Sequence, residues 1–368
     1  MNKILLIGNS GTKSRSMDGQ TVKVRLYLKK IKDEGFDVDF IDLESSSRRP
    51  ISTFVSIYKH FKKCDRIILI TAERGAKLLM PFINFINRKK KKPFILPLIG
   101  ISVLHYSIDR LSIEEKNDFL LNGNYSLCQP NKMLIKQLKK ISYILPETEL
   151  LSKVFVNFYG LNNVYQLNNF RDMNQVNSPL TKENNGKLRL VFLSRVMEIK
   201  GILDLMDVIK QLNEKGEEVY LDIFGKKLLS DKENLIFESY LDCPSISYKG
   251  IVNNDLVSDT ISKYDLFVFP TKYYGEGTPG VIVESLVAGV PVITSDFPQA
   301  KYLLKDGFDS LFYKMNNKKG LYDTIAGIIY NRSLIDIMKN NAFESGTKYT
   351  YNHERNFFLK YICGVGEE

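Results

Sequence analysis

The stretch from Tyr273 to Asp296 reads YYGEGTPGVIVESLVAGVPVITSD and predicts one helix–strand unit of an α/β fold. Thr278 followed by Pro279 predicts a helix start, because a hydroxyl caps the first amides and proline suits the first helical position. Gly289 predicts the end of that helix, and the apolar run VPVIT after it predicts a buried strand. Such a unit is the repeating element of a parallel sheet covered by helices.

The same alternation extends through the rest of the chain. Amphipathic stretches such as QTVKVRLYLKKIKDEG, ISTFVSIYKHFKK and GILDLMDVIKQLNEKG predict helices between short apolar runs. The predicted strands of the first half are 3–8, 36–43, 65–71, 93–100, 142–146 and 163–167, and those of the second half are 188–194, 218–225, 245–250, 265–271 and 290–296. Strands that alternate with helices predict parallel, doubly wound sheets.

A polar stretch with four asparagines, residues 171–187, divides the two sets of strands. We therefore predict two Rossmann-like domains that face each other across a cleft, residues 1–172 and 173–349. The apolar spacing in 350–364 predicts a helix that packs back onto the first domain. A chain of 368 residues is long enough for two cores of ordinary size.

Cysteine usage and hydropathy favour a cytoplasmic location. The four cysteines are far apart and form no CxxC pair, which favours a reducing compartment and argues against structural zinc. The N-terminal apolar run is too short for a signal peptide, and no window approaches the roughly 20 apolar residues that cross a bilayer.

The net charge of +10 is unevenly distributed. Residues 1–172 have 29 Lys and Arg against 16 Asp and Glu, whereas the remainder has 23 against 26. Together with the run RKKKK at 88–92, this predicts that the first domain is attracted to an anionic membrane surface. The basic run has no interleaved aromatic residues, so we do not expect nucleic acid as a partner.

Two carboxylates flank the predicted helix start. Glu276 precedes it, and Glu284 lies inside it, four positions after Gly280 and on the same face. A helix start offers free N–H groups and a partial positive charge to a diphosphate. Glu284 would then reach ribose hydroxyls, and Glu276 would reach the group attached beyond the phosphates. This arrangement predicts a nucleotide-sugar as the ligand.

Two cations follow the first predicted strand of the second half. Arg195 and Lys200 lie in FLSRVMEIKG, after a strand end where open α/β sheets bind ligands. Preorganised cations can neutralise a departing diphosphate in place of a metal ion. Asp37 and Asp39 spell the DxD of metal-dependent transferases, but they alternate within a predicted strand, so we expect no metal site and no cofactor.

These motifs resemble the retaining GT-B glycosyltransferases of family 4, the glycosyl transferases group 1 of bacterial polysaccharide biosynthesis. The resemblance is carried by the spacing of Glu276 and Glu284 with ESLVAGVPVI, by FLSRVMEIKG, by DLFVFPT, and by LPETELL with LNNFR. It implies transfer of a sugar from a nucleotide-sugar, most commonly a UDP-sugar, to a glycan or lipid-linked acceptor. Retention of the anomeric configuration is implied as well.

The resemblance also implies roles for individual residues. Arg195 and Lys200 would bind the donor diphosphate, Glu284 the ribose and Glu276 the sugar. Gly277, Thr278 and Gly280 would complete the donor site, and Gly19 and Gln20 would line the cleft on the acceptor side. His105 would lie near the donor sugar. Together with Glu276, Arg195 and Lys200, it would make up the catalytic residues.

Two other readings stay open at this point. An inverting GT-B transferase would need a general base in the first domain, for which His105 and Asp109 are candidates. A non-catalytic protein that binds a nucleotide-sugar or a polyanion would need the same cations without turnover.

Overall fold

The computed structural model describes residues 3–12, 18–44, 50–100, 105–108, 110–172 and 187–366, without the side chains of His105 and Tyr106. The chain divides into two compact units. The N-terminal unit comprises Met1–Asn169 and Glu354–Glu368, and the C-terminal unit comprises Phe170–His353. The sequence predicted the division three residues later, after residue 172.

The N-terminal unit contains a five-stranded parallel sheet in the order β2-β1-β3-β4-β5. Its strands β1 and β3 are buried at every position, which explains why they read as unbroken apolar runs. The strands are β1 (Ile4–Gly8), β2 (Val38–Asp42), β3 (Arg66–Ile70), β4 (Phe94–Pro97) and β5 (Tyr143–Leu145). The helices are α1 (Gly19–Asp33), α2 (Pro50–Phe61), α3 (Glu73–Ile86), α4 (His105–Ile108), α5 (Ile113–Leu121), α6 (Lys132–Leu138) and α7 (Glu149–Asn157).

The strand predicted at 163–167 is wrong. Only an isolated bridge joins Val164 to Ile144, although Tyr165 N donates to the Ile144 carbonyl at 3.0 Å. The edge strand β5 has just three residues, so it offers this segment too short a ladder for a regular strand.

The C-terminal unit contains a six-stranded parallel sheet in the order β11-β10-β9-β6-β7-β8. The strands are β6 (Leu188–Leu193), β7 (Val219–Phe224), β8 (Ile246–Gly250), β9 (Leu266–Phe269), β10 (Val292–Ser295) and β11 (Ser310–Tyr313). The helices are α8 (Ile202–Glu214), α9 (Asp231–Leu241), α10 (Val257–Ile261), α11 (Gly280–Val287), α12 (Ala300–Leu303), α13 (Lys318–Tyr330) and α14 (Ser333–Gly346). The sequence did not predict β11.

The helix predicted in the opening stretch begins later than expected. It is α11, and Pro279 precedes it with a ψ of 121°, outside the helical range. Thr278 therefore does not cap the helix, and that prediction is wrong. The first turn begins with Gly280, which has no side chain, and the guanidinium of Arg171 lies where a Cβ would be.

The chain ends in the N-terminal unit. The last helix, α15 (Tyr351–Phe358), continues into a wider turn at Leu359–Cys363. The ring of Phe358 packs edge-on against Tyr27 of α1, with centroids 5.2 Å apart. Arg66 of β3 donates to the Tyr361 carbonyl at 3.3 Å. These contacts attach the C-terminal segment to α1 and β3 of the N-terminal unit.

Within the described ranges, none of the helices is both long enough and apolar enough to span a membrane.

Candidate active site

The C-terminal sheet has a switch point between β6 and β9. Strand β6 pairs with both β7 and β9, so the chain after β6 extends the sheet on one side and the chain after β9 extends it on the other. Open α/β sheets bind ligands at the carboxyl ends of their strands at such a point. Arg195 follows β6, and Thr271 follows β9. The predicted donor-site residues of this unit therefore lie in segments that follow β6 and β9, where sheets of this topology bind ligands.

A tight turn places Lys200 at that edge. The turn, Glu198–Lys200, ends at Gly201, whose φ of 73° is left-handed. A Cβ on Gly201 would lie only 1.9 Å from the carbonyl oxygen of Pro270, just after β9. Lys272 N also donates to the Ile199 carbonyl at 2.9 Å. Glycine is thus needed for the backbone of the turn to pack against the end of β9.

Lys200 and Glu276 form a buried ion pair. Lys200 is 6% exposed and Glu276 is 8% exposed, and the ammonium group donates directly to Oε1 of the carboxylate. The ammonium also lies 5.4 Å and 5.5 Å from the ring centroids of Phe269 and Tyr273. The aromatic faces favour a cation at this position. The structure therefore brings together two of the residues that the sequence singled out.

Thr271 orients the Glu276 carboxylate, and sequence reasoning missed it. Its hydroxyl donates to Oε1 of Glu276 at 2.7 Å and accepts from Tyr273 N at 3.1 Å. Its carbonyl accepts from the Ser295 hydroxyl at 2.6 Å, at the end of β10. The only signal in the sequence was the position of this threonine directly after an apolar strand.

The second carboxylate also has a cationic partner. Glu284 is 8% exposed on α11, a helix that is apolar nearly all round. Arg171 donates from Nε to Oε1 of Glu284 at 2.8 Å and from Nη1 to the Phe170 carbonyl at 2.8 Å. Burial raises the pKa of Glu284 above its ordinary value, and the Arg171 guanidinium opposes that rise. Sequence reasoning assigned no role to Arg171, although this residue lies in the quoted segment LNNFR.

Arg195 is exposed, unlike Lys200. In the part of the chain that the structure describes, its side chain makes no hydrogen bond or ion pair. The local geometry therefore leaves Arg195 available to an anion at the carboxyl end of β6.

Gly277 and the buried Thr278 connect Glu276 to α11. Gln299 Nε2 donates to the Glu276 carbonyl at 3.4 Å.

The predicted residues of the N-terminal unit are described only in part. Gly19 and Gln20 begin α1, where Asp18 caps the helix by accepting from Thr21 N at 3.0 Å. A Cβ on Gly19 would meet no atom within 4 Å. The backbone of His105 begins α4. Its side chain, like Asp109, lies outside the described residues.

Asp37 and Asp39, the two acids of the DxD sequence, form ion pairs within the N-terminal unit. Asp39 accepts from Lys3 at 3.0 Å and from His60 Nδ1 at 2.9 Å, and Asp37 lies 3.2 Å from the same lysine. No cluster of three His, Cys, Asp or Glu side chains suited to a metal ion occurs among the described residues.

Comparison with known proteins identifies the family of the C-terminal unit. Residues 175–345 match the family described as glycosyl transferases group 1. The capsular polysaccharide biosynthesis glycosyltransferase CapM of Staphylococcus aureus is 24% identical over 328 residues, which span 85% of this chain and 83% of CapM.

Two solved structures show the fold of the whole chain. Anabaena HepE in complex with UDP and glucose has a TM-score of 0.69 at 13% identity, covering 99% of this chain and 100% of that one. Sucrose-phosphate synthase from Thermosynechococcus elongatus has a TM-score of 0.72 at 12% identity, covering 100% of both chains. This chain therefore has the GT-B fold of two Rossmann-like domains and carries a domain of the glycosyl transferases group 1 family.

Proposed function

We propose that this protein is a retaining glycosyltransferase that moves a sugar from a nucleotide-sugar, preferably a UDP-sugar, to a glycan or lipid-linked acceptor. The observation that carries the proposal is the buried pair of Lys200 and Glu276 at the switch point of the second sheet. A buried ion pair is costly to desolvate and is weak evidence for stability. Its place at a ligand-binding edge, close in sequence to the glycine that begins α11, favours a role in binding an anion that bears hydroxyl groups.

Each part of the donor has a partner in this unit. The first amides of α11 and the ammonium of Lys200 would hold the diphosphate, with Arg195 as a second cation. Glu284 would accept hydrogen bonds from ribose. Glu276, released from Lys200 as the phosphates bind, would accept hydrogen bonds from hydroxyls of the sugar.

The proposed chemistry needs no side-chain nucleophile. The acceptor hydroxyl attacks the anomeric carbon on the face from which the diphosphate departs, and the diphosphate takes the hydroxyl proton. The two cations stabilise the charge that develops on the leaving group. Gly19 and Gln20, at the start of α1, are proposed to contact the acceptor, and His105 is proposed to act near the sugar.

The proposed class of product is taken from a relative that spans 85% of this chain. CapM is named for capsular polysaccharide biosynthesis, and HepE was solved with UDP. We propose that this protein likewise acts on a surface polysaccharide at the cytoplasmic face of the membrane.

Incubation of the protein with UDP-sugars should release UDP slowly by hydrolysis, and addition of an acceptor should speed that release. The glycosidic bond of the product should keep the configuration of the donor, as read from its anomeric coupling constant. Chelation of metals with EDTA should leave the rate unchanged, because Lys200 and Arg195 supply the positive charge. An inverted product would point to a general base and replace the proposed mechanism. Donor binding without any turnover would identify a non-catalytic binding protein.

The N-terminal unit has an exposed surface suited to an anionic membrane. Exposed apolar side chains line one face of α2 and of α3, and the rings of Phe54 and Phe82 join the two helices with centroids 4.8 Å apart. The exposed members of this membrane-facing set are Ile51, Val55, Tyr58, Leu78 and Phe85. Apolar side chains beside basic ones are typical of interfacial membrane binding.

Most of the basic run beside that surface is exposed and can contact lipid head groups. Arg88 to Lys91 are exposed directly after α3. Lys92 differs, because its ammonium donates to the carbonyl of Phe61, the last residue of α2, at 2.7 Å. It also donates to the carbonyl of Cys64, just after that helix. Four of the five basic residues are therefore positioned to attract an anionic leaflet, and the fifth is structural.

Replacing Lys89 and Lys90 by glutamine should weaken binding to phosphatidylglycerol-containing vesicles about thirtyfold, since each basic residue contributes about 1 kcal/mol near an anionic surface. The measurement is co-sedimentation with vesicles at low salt. The exposed Lys232 and Lys301 of the C-terminal unit provide a control with the same change of charge. Equal losses in both double variants, or no vesicle binding by the wild type, would contradict a specific membrane-facing surface.

A further inference from the structure

Arg171 is a mostly buried cation that the proposed mechanism does not use. Its backbone is fixed on both sides, because Arg171 N donates to the Tyr349 carbonyl at 2.8 Å and its own carbonyl accepts from Tyr351 N at 2.9 Å. Its side chain and that of Glu284 are each 11% exposed and lie 2.8 Å apart. A guanidinium fixed at its backbone and paired at its head has one defined position.

Gly280 makes room for that guanidinium. A Cβ on Gly280 would lie 1.8 Å from Nη2 of Arg171, and the nearest atoms around it all belong to that arginine. The backbone of Gly280 is not in the left-handed region, so its conformation does not require glycine. A side chain at this position of α11 would therefore displace the Arg171 guanidinium from its place beside Glu284.

The pair leaves part of the Glu284 carboxylate open. Oε1 accepts the hydrogen bond from Arg171, and Oε2 has no hydrogen-bond partner among the described residues. A hydrogen bond from a cation to one oxygen favours the ionised carboxylate, whose other oxygen remains an acceptor. If the cation were lost, burial would favour the protonated acid, which is a poorer acceptor.

We propose that Arg171 is a positioning residue of the donor site, which holds Glu284 at the first turn of α11 with one oxygen directed to the hydroxyls of the donor ribose. The inference rests on the proposed nucleotide-sugar function. It assigns binding of the ribose to three residues, Arg171, Gly280 and Glu284.

Arg171→Met should weaken UDP binding at least tenfold, measured by titration calorimetry. In turnover, KM for the donor should rise by the same factor while kcat changes less than threefold, because the group acts on donor binding. Arg171→Lys should recover part of the affinity, since it restores a charge beside Glu284. Melting curves establish that each variant is folded.

A double-variant cycle separates positioning from direct contact with the donor. Glu284→Gln should weaken UDP binding, and Arg171→Met added to it should weaken binding less than twofold further. If the two losses multiply, Arg171 contacts the donor independently of Glu284, and the proposal is overturned. The double variant also removes both buried charges, so it should melt above either single variant.

Gly280→Ala provides an independent test. In the wild-type background it should weaken UDP binding about as much as Arg171→Met, because the new methyl group displaces the guanidinium. In the Arg171→Met background it should change binding less than twofold. Equal losses in both backgrounds would mean that the glycine clears space for the ligand itself, and would overturn the proposal.

Failure of this inference can be told from failure of the proposed function. If the wild type binds UDP and Glu284→Gln weakens that binding while Arg171→Met does not, only the positioning role falls. If the wild type binds neither UDP nor GDP nor their sugars, the proposed function falls, and the inference falls with it.

Discussion

Lys200→Met should lower kcat/KM for the sugar donor about 10²–10³-fold, the loss typical when one preorganised group that stabilises a developing negative charge is removed. Lys200 is held for this task by the turn before Gly201, by Thr271 acting through Glu276, and by two aromatic faces. The measurement is initial-rate kinetics of UDP release with acceptor present.

Variants of the buried pair allow the effect of Lys200 on stability to be distinguished from its effect on activity. Lys200→Met leaves the Glu276 carboxylate buried without its cation, which should cost about 3–5 kcal/mol of unfolding free energy. Glu276→Gln should cost a similar amount for the opposite reason. The double variant removes both charges, so it should regain much of the stability and none of the activity.

A lysine elsewhere in the unit provides the control. Lys210 on α8 is exposed and makes only a surface pair with Glu214 at 3.9 Å. Lys210→Met should leave both stability and kinetics near those of the wild type. Recovery of activity in the double variant of Lys200 and Glu276 would show that the pair is structural and would remove both residues from the site.

Gly201→Ala should have the second large effect, on folding and on donor binding together. Alanine in a left-handed conformation costs about 1–2 kcal/mol, and forcing its methyl group against the Pro270 carbonyl adds about 1–3 kcal/mol. The strain is relieved when the turn moves away from β9, and Lys200 moves with it. We therefore expect a lower unfolding free energy in urea and weaker binding of UDP.

Gly216 allows the two contributions to be separated. Its φ of 90° is also left-handed, but a Cβ there would meet nothing within 4 Å. Gly216→Ala should show the conformational cost alone and normal UDP affinity. If Gly201→Ala proves no more damaging than Gly216→Ala, the close approach of the turn to β9 does not position Lys200.

Most of the fold could be predicted because buried parallel strands have a strong signature. IILI in β3 and LFVF in β9 are apolar throughout, as is typical of strands covered on both faces. The signature fails at the edges of the sheets. Residues 163–167 looked like a strand and form only a bridge. The edge strand Ser310–Tyr313, SLFY, is only partly buried and has just two consecutive aliphatic or phenyl side chains, so it was not recognised.

The site could be predicted as a set of residues, but not as a set of contacts. Lys200 was identified by its position after a strand and Glu276 by its position before a helix start. They are 76 residues apart, and no local pattern shows that they bind each other. Arg171 is 113 residues from Glu284. Periodicity indicates which face of a helix is buried, but the partner on that face is fixed by the fold of the whole unit.

The most direct test of the central claim is a crystal structure with UDP bound. We predict that the diphosphate lies at the start of α11, within hydrogen-bond distance of Lys200 Nζ, with that ammonium withdrawn from Glu276 and the ribose hydroxyls on Glu284. A diphosphate bound elsewhere, with Lys200 still on Glu276 and Glu284 remote from the ribose, would contradict the account.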